Sequence, residues 1–489
     1  MRNISSPNAR LLTALSLATI LTACGGGGSA PPPPTPALSQ LAPASSLAGC
    51  GKVSLTATGS NFQPSSVLLW NGSALPTTYV SATQLTAQIP AASLATAGTD
   101  NLTVSTTGAA SVSNALPFVA TQGTTTHAVG FQIDPGHTGT ASVACGVTLP
   151  AASAWSADLG GTPTYALIAE GKVFVTAQAG TVSKLFALDQ ATGKIVWGPI
   201  ILPAGTNAAY DAGQVFVMNG GFDSGLMRAF NAANGTLNWS ATLPGQYAFS
   251  SAPSAANGMV YTGAAGSGGT LYGFNQASGA LTWTASVANG DDSTPALTPY
   301  GVFVTYPCQV YAVKPADGHY LWTNSTGCDG GGGGTPVVAN DVLYAPNGVG
   351  SYGGMTFNAQ TGALIGSFTA DNLPSIATQA GYFLQGGTLR GISLANNQEL
   401  WSFAGDGQLT TSPITVNQYT FIGSRSGHLF AVDNRTGHQA WDVDVGNPFP
   451  NGAGWGAGIP LTGLSAGDGL LVVPSGNTII AYSLVAGSN

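Results

Sequence analysis

One twelve-residue phrase recurs seven times along the last two-thirds of the chain, each copy turning on a Gly or an Asn and six of them ending on Trp. The copies are FALDQATGKIVW ending at Trp197, RAFNAANGTLNW at Trp239, YGFNQASGALTW at Trp283, YAVKPADGHYLW at Trp322, MTFNAQTGALIG at Gly366, RGISLANNQELW at Trp401 and FAVDNRTGHQAW at Trp441. Within each copy, alternating apolar residues lead to a polar residue, a turn closes on the Gly or Asn, and a second strand follows, which describes a β-hairpin. Gly193, Gly235, Gly279, Gly318, Gly362 and Gly437 supply positive φ at that turn, and Asn397 is the substitute best able to adopt it. Another apolar strand precedes each phrase, as in KVFVTA and GVFVTY.

The phrase ends lie 42, 44, 39, 44, 35 and 40 residues apart, which suits one four-stranded blade of a propeller per repeat. After Trp441 the chain supplies GLLVVPSGNTIIAYSL and stops short of a Trp-bearing strand. AWSADL, with Trp155 one 42-residue repeat before Trp197, completes that last blade. The expected fold is therefore all-β: an eight-bladed ring over residues 121–489, closed by N- and C-terminal strands. Trp155, Trp197, Trp239, Trp283, Trp322, Trp401 and Trp441 are expected between blades, each indole N–H on a backbone partner. Gly366 breaks the pattern, so blade five is expected to pack differently on its neighbour.

Residues 1–23 read as an export signal: Arg2 and Arg10 precede the apolar run Leu11 to Leu21, too short for an ordinary span. Leu21-Thr22-Ala23-Cys24 resembles the bacterial lipobox, which implies lipidation of Cys24 and a membrane anchor without a transmembrane helix. Gly25 in place of Asp implies the outer membrane in a diderm cell. GGGGSAPPPPTP, within residues 24–36, is a tether that joins a flexible segment to a stiff one.

Over residues 37–120, alternation at Val53, Leu55 and Ala57 and the Asn71-Gly72 turn indicate strands. The Thr58 to Phe62 corner, the Trp70-Asn71-Gly72 turn, the Ser81 to Gln88 strand and Ala97-Gly98-Thr99 resemble the IPT/TIG family of immunoglobulin-like β-sandwiches. Such domains are spacers or binding modules.

The motif A-x-D-x-x-T-G-x-x-x-W and its variants resemble the pyrroloquinoline-quinone-type propeller repeat. That family holds quinoprotein dehydrogenases and non-catalytic lipoproteins similar to the outer-membrane assembly factor BamB. The first kind implies a quinone with three carboxylates, Ca²⁺ and a catalytic Asp. Charged residues make up only 6% of the 489, and the ring holds eight cations: Lys172, Lys184, Lys194, Arg228, Lys314, Arg390, Arg425 and Arg435. No adjacent Cys pair and no C-x-x-C-H, H-E-x-x-H or G-x-S-x-G motif is present. No catalytic or metal-ligating residue is assigned, and no cofactor is expected; the quinone and Ca²⁺ belong to the alternative, a periplasmic quinone-dependent oxidoreductase. His127, His319, His428 and His438 are expected at the surface, and His137, in DPGHTG, in packing.

The reading that results is a lipid-anchored, non-catalytic binding or scaffold protein of the cell envelope. It faces the periplasm or the cell surface, with envelope proteins or surface polymers as partners and outer-membrane assembly as a possible role. A net charge of −8, near −10 without the leader, leaves no basic stripe for nucleic acid. Candidate binding-face residues are Tyr247, Phe249, Asp291, Asp292, Phe449 and Trp455, in loops between blades. Export permits disulfides: Cys308 with Cys328 brackets one hairpin and is worth about 3 kcal/mol on the loop-entropy account, leaving Cys50 for Cys145.

Overall fold

The computed structural model describes residues 34–109, 112–123, 125–219, 225–243, 251–266, 268–290, 292–325, 333–347, 353–450 and 461–485. The chain divides into two compact units, residues 1–46 with 51–121, and residues 47–50 with 122–489.

The smaller unit is a sandwich. One sheet runs in the order Ala37–Ala42, Val53–Ser60, Gln84–Ile89, Thr77–Ser81; the other contains Leu116–Thr121, Gly98–Thr106, Ser66–Trp70 and Ser73–Ala74. Leu55, Ala57, Leu85 and Ile89 on the first and Leu68, Leu102, Val104 and Phe118 on the second are buried, because alternate residues of each strand share a face. Asn71 and Gly72, at φ 47° and 86°, join Trp70 directly to Ser73, the geometry of a type I′ hairpin. Asn71 Nδ2 donates to Asp100 Oδ1 at 2.6 Å and its Oδ1 accepts from Asn101 N at 2.8 Å, so the one acidic residue in this sandwich serves its turn.

Among its described residues the larger unit contains eight sheets in chain order, antiparallel except that Thr140–Ala141 pairs in parallel with Ile414–Val416. Blade one comprises Leu167–Ala169, Lys172–Ala179, Val182–Asp189 and Ile195–Pro203; blade two begins at Asn207–Asp211, three at Ser254–Ala256, four at Ala296–Leu297, five at Val337–Ala339, six at Ser375–Ile376 and seven at Ile414–Val416. Blade eight takes Ser465–Gly467, Leu470–Ser475 and Thr478–Ser483 from the C-terminal end and Trp155–Asp158 as its outermost strand, with Trp155 opposite Ala481. This strand exchange is the closure expected from the spacing of Trp155. Innermost strands of blades one to five touch in succession, as do those of seven and eight and of eight and one. Asn340 Nδ2 on Ala377 O links five to six, and Ser375 Oγ on Thr415 Oγ1 links six to seven. The sheets therefore form a closed ring, in which each inner edge faces the axis and each inner strand is sandwiched by its neighbours.

Blade packing follows one contact repeated. The indole N–H of Trp155, Trp197, Trp239, Trp283, Trp322 and Trp401 donates to a carbonyl in the next blade's hairpin, those of Gln190, Ala232, Gln276, Pro315, Ala359 and Asn434, and Trp441 donates to Pro150, all at 2.7–3.0 Å. The hairpin glycines have φ of 68–74°, as their turns require. A second constraint acts on them: a Cβ at any of the six would lie 2.5–2.9 Å from the indole of the preceding blade. Each Trp also faces Ala or Gly across its own sheet, namely Ala481, Ala187, Ala229, Gly273, Ala312, Gly391 and Ala431. Six of the seven indoles thus lie between a small residue of their own blade and a glycine of the next.

Candidate functional site

The two ends of the ring differ. At the end that carries the hairpin turns, residues 126–142 run across the ring and satisfy the axis-facing strand edges. Val129 O accepts from Tyr210 N, Pro135 O from Leu297 N, Gly136 O from Val338 N, Thr138 O from Ile376 N, Gly139 O from Thr415 N and Thr126 O from Asp468 N, at 2.7–2.9 Å; Ala128 and Ile168 exchange two bonds. Seven of the eight blades are tied to this segment. It holds the DPGHTG motif, whose chemistry is structural. His137 is 1% exposed, and its Nδ1 lies 2.9 Å from Pro336 O, an acceptor only, so Nδ1 carries the proton. Burial lowers its pKa to about 4, which keeps the ring neutral. The Asp134 carboxylate accepts from Gly136 N, Thr138 N and Thr138 Oγ1; burial raises its pKa against those bonds.

The axis itself is filled by apolar side chains. Phe131 of the crossing segment packs with Tyr165 and Leu167 of blade one, Tyr210 of blade two, Val337 of five and Ile376 of six. Tyr165 donates its hydroxyl to Ala208 O.

At the other end open the loops that enter each innermost strand and those that join each second strand to the third. They carry hydroxyls and amides: Ala252 N donates to Thr294 Oγ1 at 3.0 Å, Gly423 N to Thr411 Oγ1 at 2.9 Å and Leu461 N to Asn207 Oδ1 at 2.9 Å. Five buried polar atoms at this end, Asn219 Oδ1, Ser251 Oγ, Asn372 Oδ1, Ser412 Oγ and Thr462 Oγ1, have no hydrogen-bond partner among the described residues. A buried polar atom left unpaired costs about 1–3 kcal/mol. Beside them a cleft of about 490 Å³ opens between blades six and seven, lined by Asp371, Asn372, Gln408, Thr410 and Arg425 among others. Arg425 Nε points to Thr410 Oγ1 at 3.4 Å.

One of the binding-face residues expected from sequence is corrected by its burial. Phe449 does not face solvent: it is 2% exposed and covers Gly423, where a Cβ would stand 2.7 Å from its ring. A glycine in the second strand of blade seven makes room for that ring, so the aromatic is core. Asp292 is half-buried with a φ of 55°. Tyr247, Phe249, Asp291 and Trp455 lie outside the described residues, as do Cys24 and Cys328. Cys50 and Cys145 form a disulfide, and Cys308 is disulfide-bonded. The unpaired amides and hydroxyls were not singled out in the sequence, because only burial distinguishes them from ordinary loop residues.

Among the described residues no group of His, Cys, Asp and Glu is placed to hold a metal ion. The ring's cations serve separate local ends: Lys184 Nζ donates to Gly160 O at 3.1 Å, Arg390 pairs with Glu399 at 2.5 Å, and Lys172, Arg228 and Lys314 stand on other strands or turns of blades one, two and four. With apolar side chains on the axis, the described residues do not fit a tricarboxylate quinone, which needs converging cations.

A family model described as outer membrane protein assembly factor BamB matches residues 147–293, 185–363, 300–454 and 385–489, overlapping windows that span the ring. An IPT/TIG domain model matches residues 36–120. Among solved structures, BamB from Moraxella catarrhalis is 19% identical over 69% of this chain and 99% of its own, with a TM-score of 0.49. The quinohemoprotein alcohol dehydrogenase ADHIIG from Pseudomonas putida HK5 is 13% identical over 73% of this chain and 80% of its own, with a TM-score of 0.55. Sqt1 from Saccharomyces cerevisiae is 11% identical over 69% and 100%, with a TM-score of 0.52. At such identities the likeness establishes the fold alone. No curated protein matches the sequence.

Proposed function

Since the chain belongs to the family of the outer membrane protein assembly factor BamB, through residues 147–489, we propose that it is a non-catalytic binding scaffold of the cell envelope, lipid-anchored at Cys24 and engaged in assembling outer-membrane proteins. The observation that carries this reading is the cleft of about 490 Å³ at the open end of the ring, where the side chains of Asp371, Gln408 and Arg425 are exposed. Such exposed polar groups suit an incoming chain whose backbone N–H and C=O groups pair with them. The Cys50–Cys145 disulfide agrees with an oxidising compartment. The leader and the lipobox-like Cys24 support the anchor.

The rival reading, quinone-dependent oxidation, shares the fold and is separated by chemistry. Purified protein mixed with pyrroloquinoline quinone and Ca²⁺ is expected to show neither saturable quinone binding nor dye-linked alcohol oxidation; turnover that depends on the quinone would sink the scaffold reading. Replacement of Cys24 by Ala is expected to abolish metabolic labelling with palmitate and to move the protein from the membrane to the soluble envelope fraction. Continued labelling would refute the anchor.

A further inference from the structure

Seven of the eight seams between blades are filled by an indole, and the seam between blades five and six is not. Three residues depart from the pattern there together. Gly366 stands where the other outer strands carry Trp. Thr356, its partner across the sheet, stands where the others carry Ala or Gly. Asn397 stands where the receiving hairpins described above carry Gly. The seam is otherwise built alike: Asn397 N closes the turn on Ser393 O at 2.9 Å, as Gly193 N does on Asp189 O, and Leu394 N bonds Gln379 O as Gln190 N bonds Gly171 O. The Leu394 carbonyl is therefore the counterpart of the six hairpin carbonyls that accept an indole N–H, and no described residue donates to it.

In place of the indole there is a cleft of about 530 Å³. Gly366, Leu394 and Asn397 line it, with Tyr344, Phe368 and Phe383 as its aromatic wall, the Tyr344 and Phe368 rings meeting edge to face at 5.5 Å. Ile365, 57% exposed, stands at its rim beside Leu364, 60% exposed. Both belong to Leu364–Phe368, the outermost strand of blade five, whose far edge pairs with no described strand. The cleft is thus continuous with the blade interface and open to an extended chain along that edge.

We propose that this seam is a docking site for a tryptophan side chain of a partner polypeptide, which enters the cleft beside Asn397, free of the tether that would press a residue-366 indole flat on that side chain, and donates its N–H to the Leu394 carbonyl. The proposal rests on the scaffold reading above and names one chemical feature of a partner.

The probe is a dye-labelled extended nonapeptide of Ser and Thr with one central Trp, followed by fluorescence polarisation against the full chain. Saturable binding is expected, about fivefold weaker with Phe in place of Trp because the N–H bond is lost, and absent with Ala. The double variant Gly366→Trp with Asn397→Gly fills the seam from within and is expected to weaken the peptide at least tenfold. Ile365→Glu, at an exposed rim position, is expected to do the same without disturbing the core. Gly366→Trp alone is expected to melt below the double variant, since the Asn397 side chain lies where glycine receives the ring. Equal affinity for the Trp and Ala peptides, undiminished binding by the double variant and Ile365→Glu, or no saturation at millimolar peptide would each overturn the proposal. N-acetyl-tryptophanamide binding as tightly as the peptide would overturn its polypeptide part. Envelope crosslinks from the open end that persist in the double variant would leave the scaffold reading standing if the seam fails.

Discussion

Trp239 and Gly279 show how much a single contact asks of two residues. The indole N–H reaches Gln276 O at 2.9 Å, and a Cβ on Gly279, where φ is 70°, would stand 2.5 Å from the ring. Gly279→Ala therefore meets a steric and a backbone penalty at once and is expected to lose about 2–4 kcal/mol; Trp239→Phe, which leaves the carbonyl unpaired, is expected to lose about 1–3 kcal/mol. Denaturant titration checks both, and a loss for Gly279→Ala below that for an exposed loop glycine such as Gly213 would contradict the packing. His137 gives a pH-dependent test. Its folded pKa of about 4 lies below the ordinary value near 6.5, so between those values the unfolded chain binds the extra proton. Its share of stability is complete above pH 6.5 and is lost as pH falls towards 4, by up to about 3 kcal/mol. Asp134, raised by burial, acts in the opposite direction. The difference between wild type and His137→Gln isolates the imidazole: the variant should show a shallower loss of stability from pH 7 to 4, and parallel curves would refute a buried neutral His137.

At the scale of elements, legibility followed locality. Each hairpin was plain because its Gly and its Trp stand in one short phrase, and the closing strand was plain because Trp155 keeps the repeat spacing. Residues 126–142 were not, because their hydrogen bonds go to strand edges 40 to 340 residues away and carry no period. Gly366 was visible as an exception, but its relation to Thr356 and Asn397 depends on two sheets being side by side. Phe449 was misplaced because an aromatic in a loop is read as exposed until the glycine beneath it is known. The closing strand carries its own prediction. Deleting the first strand of the ring exposes the last strand's edge and removes Trp155, so a chain that lacks residues 153–159 is expected to elute as aggregates in size exclusion; a monomeric, cooperatively melting product would contradict strand exchange as the closure.

The whole molecule separates support from display. One end of the ring is tied shut by a segment that bonds seven blades, the axis is packed with Phe131, Tyr165 and their neighbours, and loops rich in amides and hydroxyls surround a polar cleft at the other end. A surface with few charges relies on such groups for specificity, since long-range steering is weak. The most direct measurement is site-specific photo-crosslinking in the intact envelope, with the reactive group placed at Ala404 or Gln408 on the open end and at Ala277 or Arg435 on hairpins of the tied end. All four positions are exposed. Discrete adducts to envelope proteins from Ala404 and Gln408, with few from Ala277 and Arg435, are the predicted result. Adducts from the hairpin end with none from the open end would contradict it.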